Sequence, residues 1–515
     1  MENNGNLKAF KRPKWSNGTN ISDKGIKWLE SRGISQKTAI KMKLGEGLVF
    51  MPQKGAEVNT IQFPYYFNGE LINVKYRDGA KNFRMEAGAE LIFYNIDSVL
   101  NADTVIIVEG EMDCLSMIEA GYEHCVSVPN GASATSMSWL DHAMDYFGED
   151  KKYIIAVDND SAGAVLRDEL IRRLGDDCCS LVVFKDCKDA NECLQKYGIQ
   201  GIIESMSQAK EVPQSGVYTA RDIEDRIDNF YRNGLPKGAK LGVEDMDRLC
   251  SWHPGYFSVI TGIPGMGKSE VVDFVCCRLN VAHGWKIAYY SPENYPLELH
   301  FSKIAEKLIG KPFEGSGKMN LYDLEQVKTY FNDNFFFIKP EEDLSLDSIL
   351  NHVRGLIRRK GIKMFVIDAW NKLEHMYTTN ETQYISKELD KLAIFCEKYQ
   401  VHLALVAHPT KMNKDKRTGE TERPNLYSIS GSAAFFNKCS LGICIHRDKE
   451  GLTEFEVQKV KFKHWGFPGL AKLTWNRVNG RYGHGQYYDD TNWLNRYSGE
   501  GLTYNFKDED GDAPF

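Results

Sequence analysis

The sequence predicts an α/β protein, two α/β domains joined by a polar linker, and three observations carry that prediction. A short apolar run from Tyr256 to Thr261 reads as a buried strand, a glycine-rich loop follows it, and residues 270–279 then place apolar side chains at helical spacing. From Asp103 to about Lys196, strand-like and helical patterns alternate, which implies a small parallel sheet. Between them, residues 206–240 are polar and carry Pro213, Gly216, Gly234 and Pro236 around one amphipathic stretch from Thr219 to Arg232, a linker with a docking helix.

Taken in chain order, the pattern divides the 515 residues into five segments, in line with roughly three domains of about 150 residues plus connections. Residues 1–100 form an N-terminal subdomain, with a helix pair around Ile26–Ile40 split at Arg32-Gly33 and strand-like runs at Thr60–Tyr66 and Leu71–Arg77. Residues 101–205 hold the first α/β domain, 206–240 the linker, 241–495 the larger α/β domain, and 496–515 an acidic tail ending in Phe515.

Bulk properties narrow the class. The chain is 42% hydrophobic and 26% charged, ordinary for a globular protein. No apolar run approaches the roughly 20 residues of a membrane span, and the polar start Met1-Glu-Asn-Asn-Gly lacks a signal-peptide pattern, so the expected compartment is the cytoplasm, with no membrane partner. A net charge of −7 excludes little, because nucleic-acid binding depends on where the lysines lie. Twelve cysteines without a C-x-x-C pair suit reduced thiols and argue against a zinc ribbon. The first is Cys114, so the N-terminal hundred residues hold no cysteine-based metal module.

The glycine loop is Gly262-Ile263-Pro264-Gly265-Met266-Gly267-Lys268-Ser269. Between a strand and a helix, such a loop wraps its N–H groups around a polyphosphate, with the helix N-terminus adding positive potential. Lys268 would reach the β- and γ-phosphates and the Ser269 hydroxyl would ligate Mg2+. The expectation is nucleoside triphosphate hydrolysis.

Three acidic clusters sit at predicted strand ends in the first α/β domain. Glu109 opens Glu109-Gly110-Glu111-Met112-Asp113, Asp158 and Asp160 lie in Val157-Asp-Asn-Asp160-Ser-Ala-Gly163, and Asp189 lies in Lys188-Asp-Ala-Asn-Glu192. Strand ends in an open α/β sheet face one crevice, where gathered carboxylates call for a divalent ion such as Mg2+ or Mn2+. The alternative is that each acid caps a helix or loop. This arrangement closely resembles a TOPRIM domain, the metal-binding fold of bacterial-type primases and topoisomerases. The resemblance assigns Glu109, Asp158 and Asp160 to catalysis and metal binding and Asp189 to the third acidic position. Upstream, the segment with Lys75, Arg77 and Lys81 resembles the basic element that holds nucleotides and template in phage-type primases.

In the larger domain, Glu293 follows the Ile287–Tyr290 run and is placed to polarise the attacking water. Asp368 ends an apolar run from Met364 and would hold the Mg2+ hydration shell opposite Ser269. His408 ends another from His402 and would sense the γ-phosphate. With Ile429-Ser-Gly-Ser432 and Gln458-Lys459-Val-Lys461-Phe462, the series resembles the DnaB/Twinkle ring helicases, specifically the bifunctional phage primase–helicase and Twinkle family: a TOPRIM-type α/β primase domain linked to a RecA-like α/β ATPase domain. The resemblance covers about residues 25–480.

The resemblance implies a 5′-to-3′ replicative helicase acting on single-stranded and forked DNA, fuelled by ATP or dTTP with Mg2+, assembled as a homo-hexamer or heptamer. If the chain is phage-encoded, it would act in the host cytoplasm. It also implies a Lys-x-Arg element reaching the neighbour's nucleotide. Here that pair reads Lys459 and Lys461, with Arg447 and Lys463 as substitutes for the trans-acting cation. DNA-binding loops would carry Lys372 and then Lys411, Lys414, Lys416 and Arg417. Similar aromatic-ended acidic tails dock on a replicative polymerase, the partner expected for this one.

Overall fold

The computed structural model describes residues 10–15, 20–130, 138–143, 147, 151–212, 220–375, 380–410, 412, 422–429, 433–484 and 489–497. They fall into two compact units, within Met1–Gly216 and Val217–Ser498.

The first unit opens with α1 (Asp23–Ser31) and α2 (Gln36–Lys41), N-capped by the hydroxyls of Ser22 and Ser35. An antiparallel sheet follows, in the order β1 (Gly45–Met51), β2 (Ala56–Phe67), β3 (Glu70–Asp78), β4 (Phe83–Met85). The second sheet is ordered β6-β5-β7-β8-β9, from β5 (Thr104–Val108), β6 (Cys125–Ser127), β7 (Lys152–Ile155), β8 (Cys179–Leu181) and β9 (Lys210–Glu211). Strands β5 to β8 run parallel and β9 is antiparallel to β8. The helices are α3 (Glu111–Glu119), α4 (Ser138–Ala143), α5 (Ser161–Leu174) and α6 (Ala190–Ser207).

Trp28, Leu29, Phe63 and Tyr65 share one hydrophobic core with Val105–Val108 and Leu166, while Met51, Val74 and Tyr76 form a separate small cluster within residues 1–100. Strand β9 extends the second sheet to Glu211, past the expected end at 205, because two charged residues pair with β8 through their backbone.

The second unit contains α7 (Glu224–Asn233), α8 (Glu244–Asp247), β10 (Phe257–Thr261), α9 (Lys268–His283), β11 (Ile287–Tyr290), α10 (Leu297–Ile309), α11 (Leu321–Asn334) and β12 (Phe335–Phe337). It continues through α12 (Leu346–Lys360), β13 (Met364–Asp368), α13 (Glu381–Tyr399), β14 (His402–Val406), α14 (Ala434–Lys438), β15 (Leu441–Arg447), β16 (Thr453–Val460), β17 (Gly469–Trp475) and β18 (Tyr482–Gly483). The nine-stranded sheet is ordered β12-β11-β13-β14-β10-β15-β16-β17-β18. It is parallel from β12 to β15 and antiparallel beyond.

Alternate residues of the parallel strands feed two cores, which explains their continuous apolar runs. Ile260, Tyr289, Val366 and Ala404 pack with Phe274 of α9 and Ile304 of α10. Val259, Ala288, Phe365 and Leu403 pack with Val353 of α12 and Leu389 of α13 on the other face. Because β10, β11, β13 and β14 are parallel, their carboxyl ends share one sheet edge, where an α/β sheet presents its binding crevice.

Candidate functional sites

At that edge the chain leaves β10 into the glycine loop. A Cβ on Gly262 would stand 2.2 Å from the Ile445 carbonyl oxygen, so only glycine fits against β15. Gly265 and Gly267 have φ of 82° and 91°, and Gly267 is the N-cap of α9. Lys268 is 5% exposed, and its Nζ donates to the carbonyls of Gly262 at 2.9 Å and Ile263 at 3.3 Å, folded back over its own loop. Burial pulls its pKa down, against Asp368 and Glu293, which push it up.

The next strand ends bring the three expected partners together. Asp368 ends β13 at 2% exposure; its Oδ2 accepts from Ser291 Oγ and Asn294 Nδ2, both at 3.4 Å. Burial pushes its carboxyl up, opposed by the Ser269 hydroxyl. The Asp368 Oδ1 is buried with no hydrogen-bond partner, an orphaned acceptor beside Ser269, and the pair fits a hydrated Mg2+. Glu293 Oε1 lies 3.5 Å from His408 Nε2 and 3.7 Å from Lys372 Nζ. Lys372, expected to bind DNA, is therefore also within reach of the Glu293 carboxylate.

Residues without a motif complete this edge. Arg447, at the end of β15, lies over the Trp475 ring at 5.3 Å. Its Nη2 and the Tyr482 hydroxyl would each stand 3.6 Å from a Cβ on Gly267. Arg447 Nε, Trp475 Nε1 and Tyr482 Oη are buried without hydrogen-bond partners. Sequence offered no signal for this wall, because Trp475 and Tyr482 meet only through the β17–β18 pairing. Arg447, one candidate for a neighbour's site, is placed at its own chain's loop.

The Lys459–Lys463 segment lies at the opposite edge of the sheet. Lys461 N donates to the Ser440 carbonyl, and Ser440 N to the carbonyl of Phe257, the first residue of β10. At about 3.3 Å per residue, the five residues of β10 separate this point from the glycine loop by about 16 Å. Lys461 Nζ sits 5.3 Å from the rings of Tyr256 and Phe462 and is exposed, as is Lys463. Lys459, expected to act in catalysis, donates through its Nζ to the carbonyls of Phe436 at 2.6 Å and Asn437 at 2.9 Å, capping the end of α14. Ser430–Ser432, Lys411, Lys414, Lys416, Arg417 and the tail from 498 onward lie outside the described residues.

In the first unit, Glu109 directly follows β5, and Asp158 follows β7. Two of the acids do cap helices: Asp160 Oδ1 accepts from Ala162 N and Gly163 N at α5, and Asp189 Oδ1 from Glu192 N at α6. They nevertheless share one electrostatic field. Burial, then Glu109 and Asp189, push the Asp158 carboxyl up to about 8, while Lys188, 3.7 Å from Asp158 Oδ2 and 3.4 Å from Asp160 Oδ2, works against them. Burial, Asp189 and Asp158 hold Asp113 well above the usual carboxylate range as well. Asp113, in the first turn of α3, therefore belongs to the cluster.

Among the described residues, no three His, Cys, Asp or Glu side chains form a ready-made metal cage. Mutually repelling oxygen donors of this kind suit Mg2+, which keeps several waters and takes only one or two carboxylates.

Lys75 and Arg77, expected to contact DNA, are both buried in β3. Lys75 is 9% exposed, with Nζ 2.7 Å from Glu111 Oε1 and 3.0 Å from the Pro129 carbonyl. The Tyr65 hydroxyl donates to the same Glu111 oxygen at 2.5 Å. The Arg77 guanidinium lies 4.6 Å over the Trp28 ring. The period of two in β3 puts both cations on one face, and both faces of the strand are buried there. Lys81, in the β3–β4 turn, is half-buried.

A parallel sheet with a phosphate loop and three polar strand ends at one edge defines a RecA-type P-loop ATPase, here on the same chain as an acidic α/β unit. Residues 106–194 match the Toprim-like family, and residues 238–467 match the DnaB-like helicase C terminal domain. The Twinkle homolog protein, chloroplastic/mitochondrial, of Arabidopsis thaliana is 36% identical over 492 residues, 88% of this chain and 68% of that protein. The DNA helicase/primase of Enterobacteria phage T3 is 23% identical over 519 residues, 95% of this chain and 86% of that one. The chain belongs to the Twinkle and phage-type primase–helicase family, with a Toprim domain and a DnaB-like helicase domain. Among the described residues no helix is long and apolar enough to cross a membrane.

Proposed function

We propose that this DnaB-like helicase moves 5′-to-3′ on single-stranded DNA, unwinds duplex at a fork, and synthesises RNA primers in its Toprim domain. The observation that supports the motor reading is the meeting of Gly262–Ser269, Glu293, Asp368 and His408 at one sheet edge, with exposed Lys461 and Lys463 at the other. In hydrolysis the loop N–H groups and Lys268 hold the phosphates, Glu293 orients and polarises the water, and His408 reports the γ-phosphate to the chain behind it. Ser269 and Asp368 hold Mg2+, which offsets phosphate charge when bound. Lys461 or Lys463 of one copy completes the site of the next, since neither reaches its own loop; the ring is a homo-hexamer or heptamer, fuelled by ATP or dTTP. The α7 segment, with exposed Ile227, Phe230 and Tyr231, docks on the neighbouring copy.

Lys372, with Lys411, Lys414, Lys416 and Arg417, tracks DNA phosphates, giving sequence-tolerant, salt-dependent binding. In the Toprim domain, Glu109, Asp158, Asp160 and Asp189, joined by Asp113, hold Mg2+ or Mn2+ for nucleotide addition. The acidic tail docks on a replicative polymerase, and the site of action is the cytoplasm or, by likeness to the plant relative, an organelle.

The test is an unwinding assay on forked duplex with Lys268→Ala as control. Unwinding that depends on a 5′ single-stranded arm and is lost in the variant is the expected result; strand exchange without unwinding would instead make the chain a recombination ATPase. Template-directed primer synthesis, present in the wild type and absent in Glu109→Gln, tests the Toprim half. Its absence from both would leave a helicase with a non-catalytic Toprim module.

A further inference from the structure

An unbroken chain of polar contacts joins the first turn of α9 to Asp368. Glu270, next to Ser269, receives two lysines from one face of α10: Lys303 Nζ at 3.1 Å from Oε1 and Lys307 Nζ at 2.7 Å from Oε2. Lys303 Nζ also donates to Asn294 Oδ1 at 3.1 Å. The other end of that amide donates to Ser291 Oγ at 2.7 Å and to Asp368 Oδ2 at 3.4 Å. The amide has one productive orientation, because only its oxygen can face an ammonium and only its nitrogen a carboxylate.

The three groups that hydrolysis must keep in register belong to separate elements: Ser269 to α9, Glu293 to the turn after β11, and Asp368 to β13. Backbone pairing of β11 with β13 sets the strands but ends at Tyr290 and Ile367, short of both carboxylates. Lys303 supplies the side-chain link to α9. Lys307, 1% exposed, keeps Glu270 paired whether or not Lys303 is present, so the two lysines divide the work.

We propose that Lys303, acting through Asn294, is a positioning residue for nucleotide hydrolysis: it locks the Ser291–Asn294 turn, and with it Glu293 and Asp368, against the Ser269 turn of α9. The inference deepens the hydrolysis site proposed above and rests on it. A misplacement of about 1 Å at a reacting group costs on the order of 100-fold, so loss of this link is read in turnover rather than in nucleotide binding.

The experiment is steady-state NTP hydrolysis by the full-length assembled protein bearing Lys303→Met, which keeps the aliphatic stem, Asn294→Ala, the double variant and Lys303→Arg. Both single variants should lose about tenfold or more in kcat with KM within about twofold; the double variant should be no slower than the slower single, and Lys303→Arg should recover most of the rate. A raised KM with unchanged kcat, or losses that multiply in the double variant, would overturn the proposal. Lys268→Ala, run alongside, separates the two readings: wild-type turnover there removes the hydrolysis site itself, whereas only the kcat pattern bears on Lys303.

Discussion

The Toprim and ATPase sites are incomplete in different ways. In the Toprim unit, carboxylates from the ends of β5 and β7 and from the starts of α3 and α6 repel one another within a single chain. The cations of the neighbouring strand are already engaged, Lys75 with Glu111 and Arg77 over Trp28. On the proposed reading, that site takes up an ion. In the ATPase unit, the loop, Glu293, Asp368 and His408 meet at one sheet edge while Lys461 and Lys463 stand at the other, about 16 Å away along β10. On the same reading, that site is completed by a second copy. The difference predicts that the two activities can be removed one at a time.

The largest effect should come from Lys268→Ala, with NTP hydrolysis falling by about a hundredfold to a thousandfold while primer synthesis on a short single-stranded template continues. Glu109→Gln should do the reverse. If either change abolished both activities, the separation drawn here would fail. Next in size is Lys75→Met, which strips Glu111 of its buried ammonium and should cost about 3 kcal/mol in the stability of the Toprim unit, measured by denaturant unfolding. An unchanged midpoint with weaker DNA binding would restore the exposed basic strand that the sequence suggested.

Acid should discriminate between the units as well. Burial, reinforced for His253 by its neighbour His402, holds both imidazoles down at about 4, so they are neutral in the folded ATPase unit. The unfolded chain, with imidazole pKa near 6.5, binds more protons than the fold between about pH 6.5 and 4. Stability contributed by these groups is therefore complete above that window and is lost as pH falls through it. Hydrogen exchange resolved by segment should show β10 and β14 losing protection between pH 7 and 5; constant protection would mean that the two histidines charge without cost. The smallest effect expected is for Arg447→Ala, which removes a wall of the nucleotide pocket and should raise KM about tenfold with kcat little changed.

Much of the ATPase site was legible because each functional residue ends a buried parallel strand, and such strands appear as unbroken apolar runs before Gly262, Glu293, Asp368 and His408. Glu109 and Asp158 were legible for the same reason, whereas Asp160 and Asp189 cap helices. The burial of Lys75 and Arg77 was not legible, because a period of two does not show that both faces of β3 are covered. The contact of Lys459 was not legible because its partner is the end of a five-residue helix, α14, too short to mark itself in the sequence. Arg447, Trp475 and Tyr482 come together through antiparallel pairing, which carries no motif.

The central claim is that one copy's cation completes another's nucleotide site. The direct test mixes Lys268→Ala protein, whose own site is dead but whose Lys461 and Lys463 are intact, with a Lys461→Ala/Lys463→Ala variant whose loop is intact. Each alone should be nearly inactive in DNA-stimulated hydrolysis, and mixing before assembly should restore a substantial fraction of wild-type activity. No recovery from properly assembled mixed rings, or full activity in the double-lysine variant alone, would contradict the account.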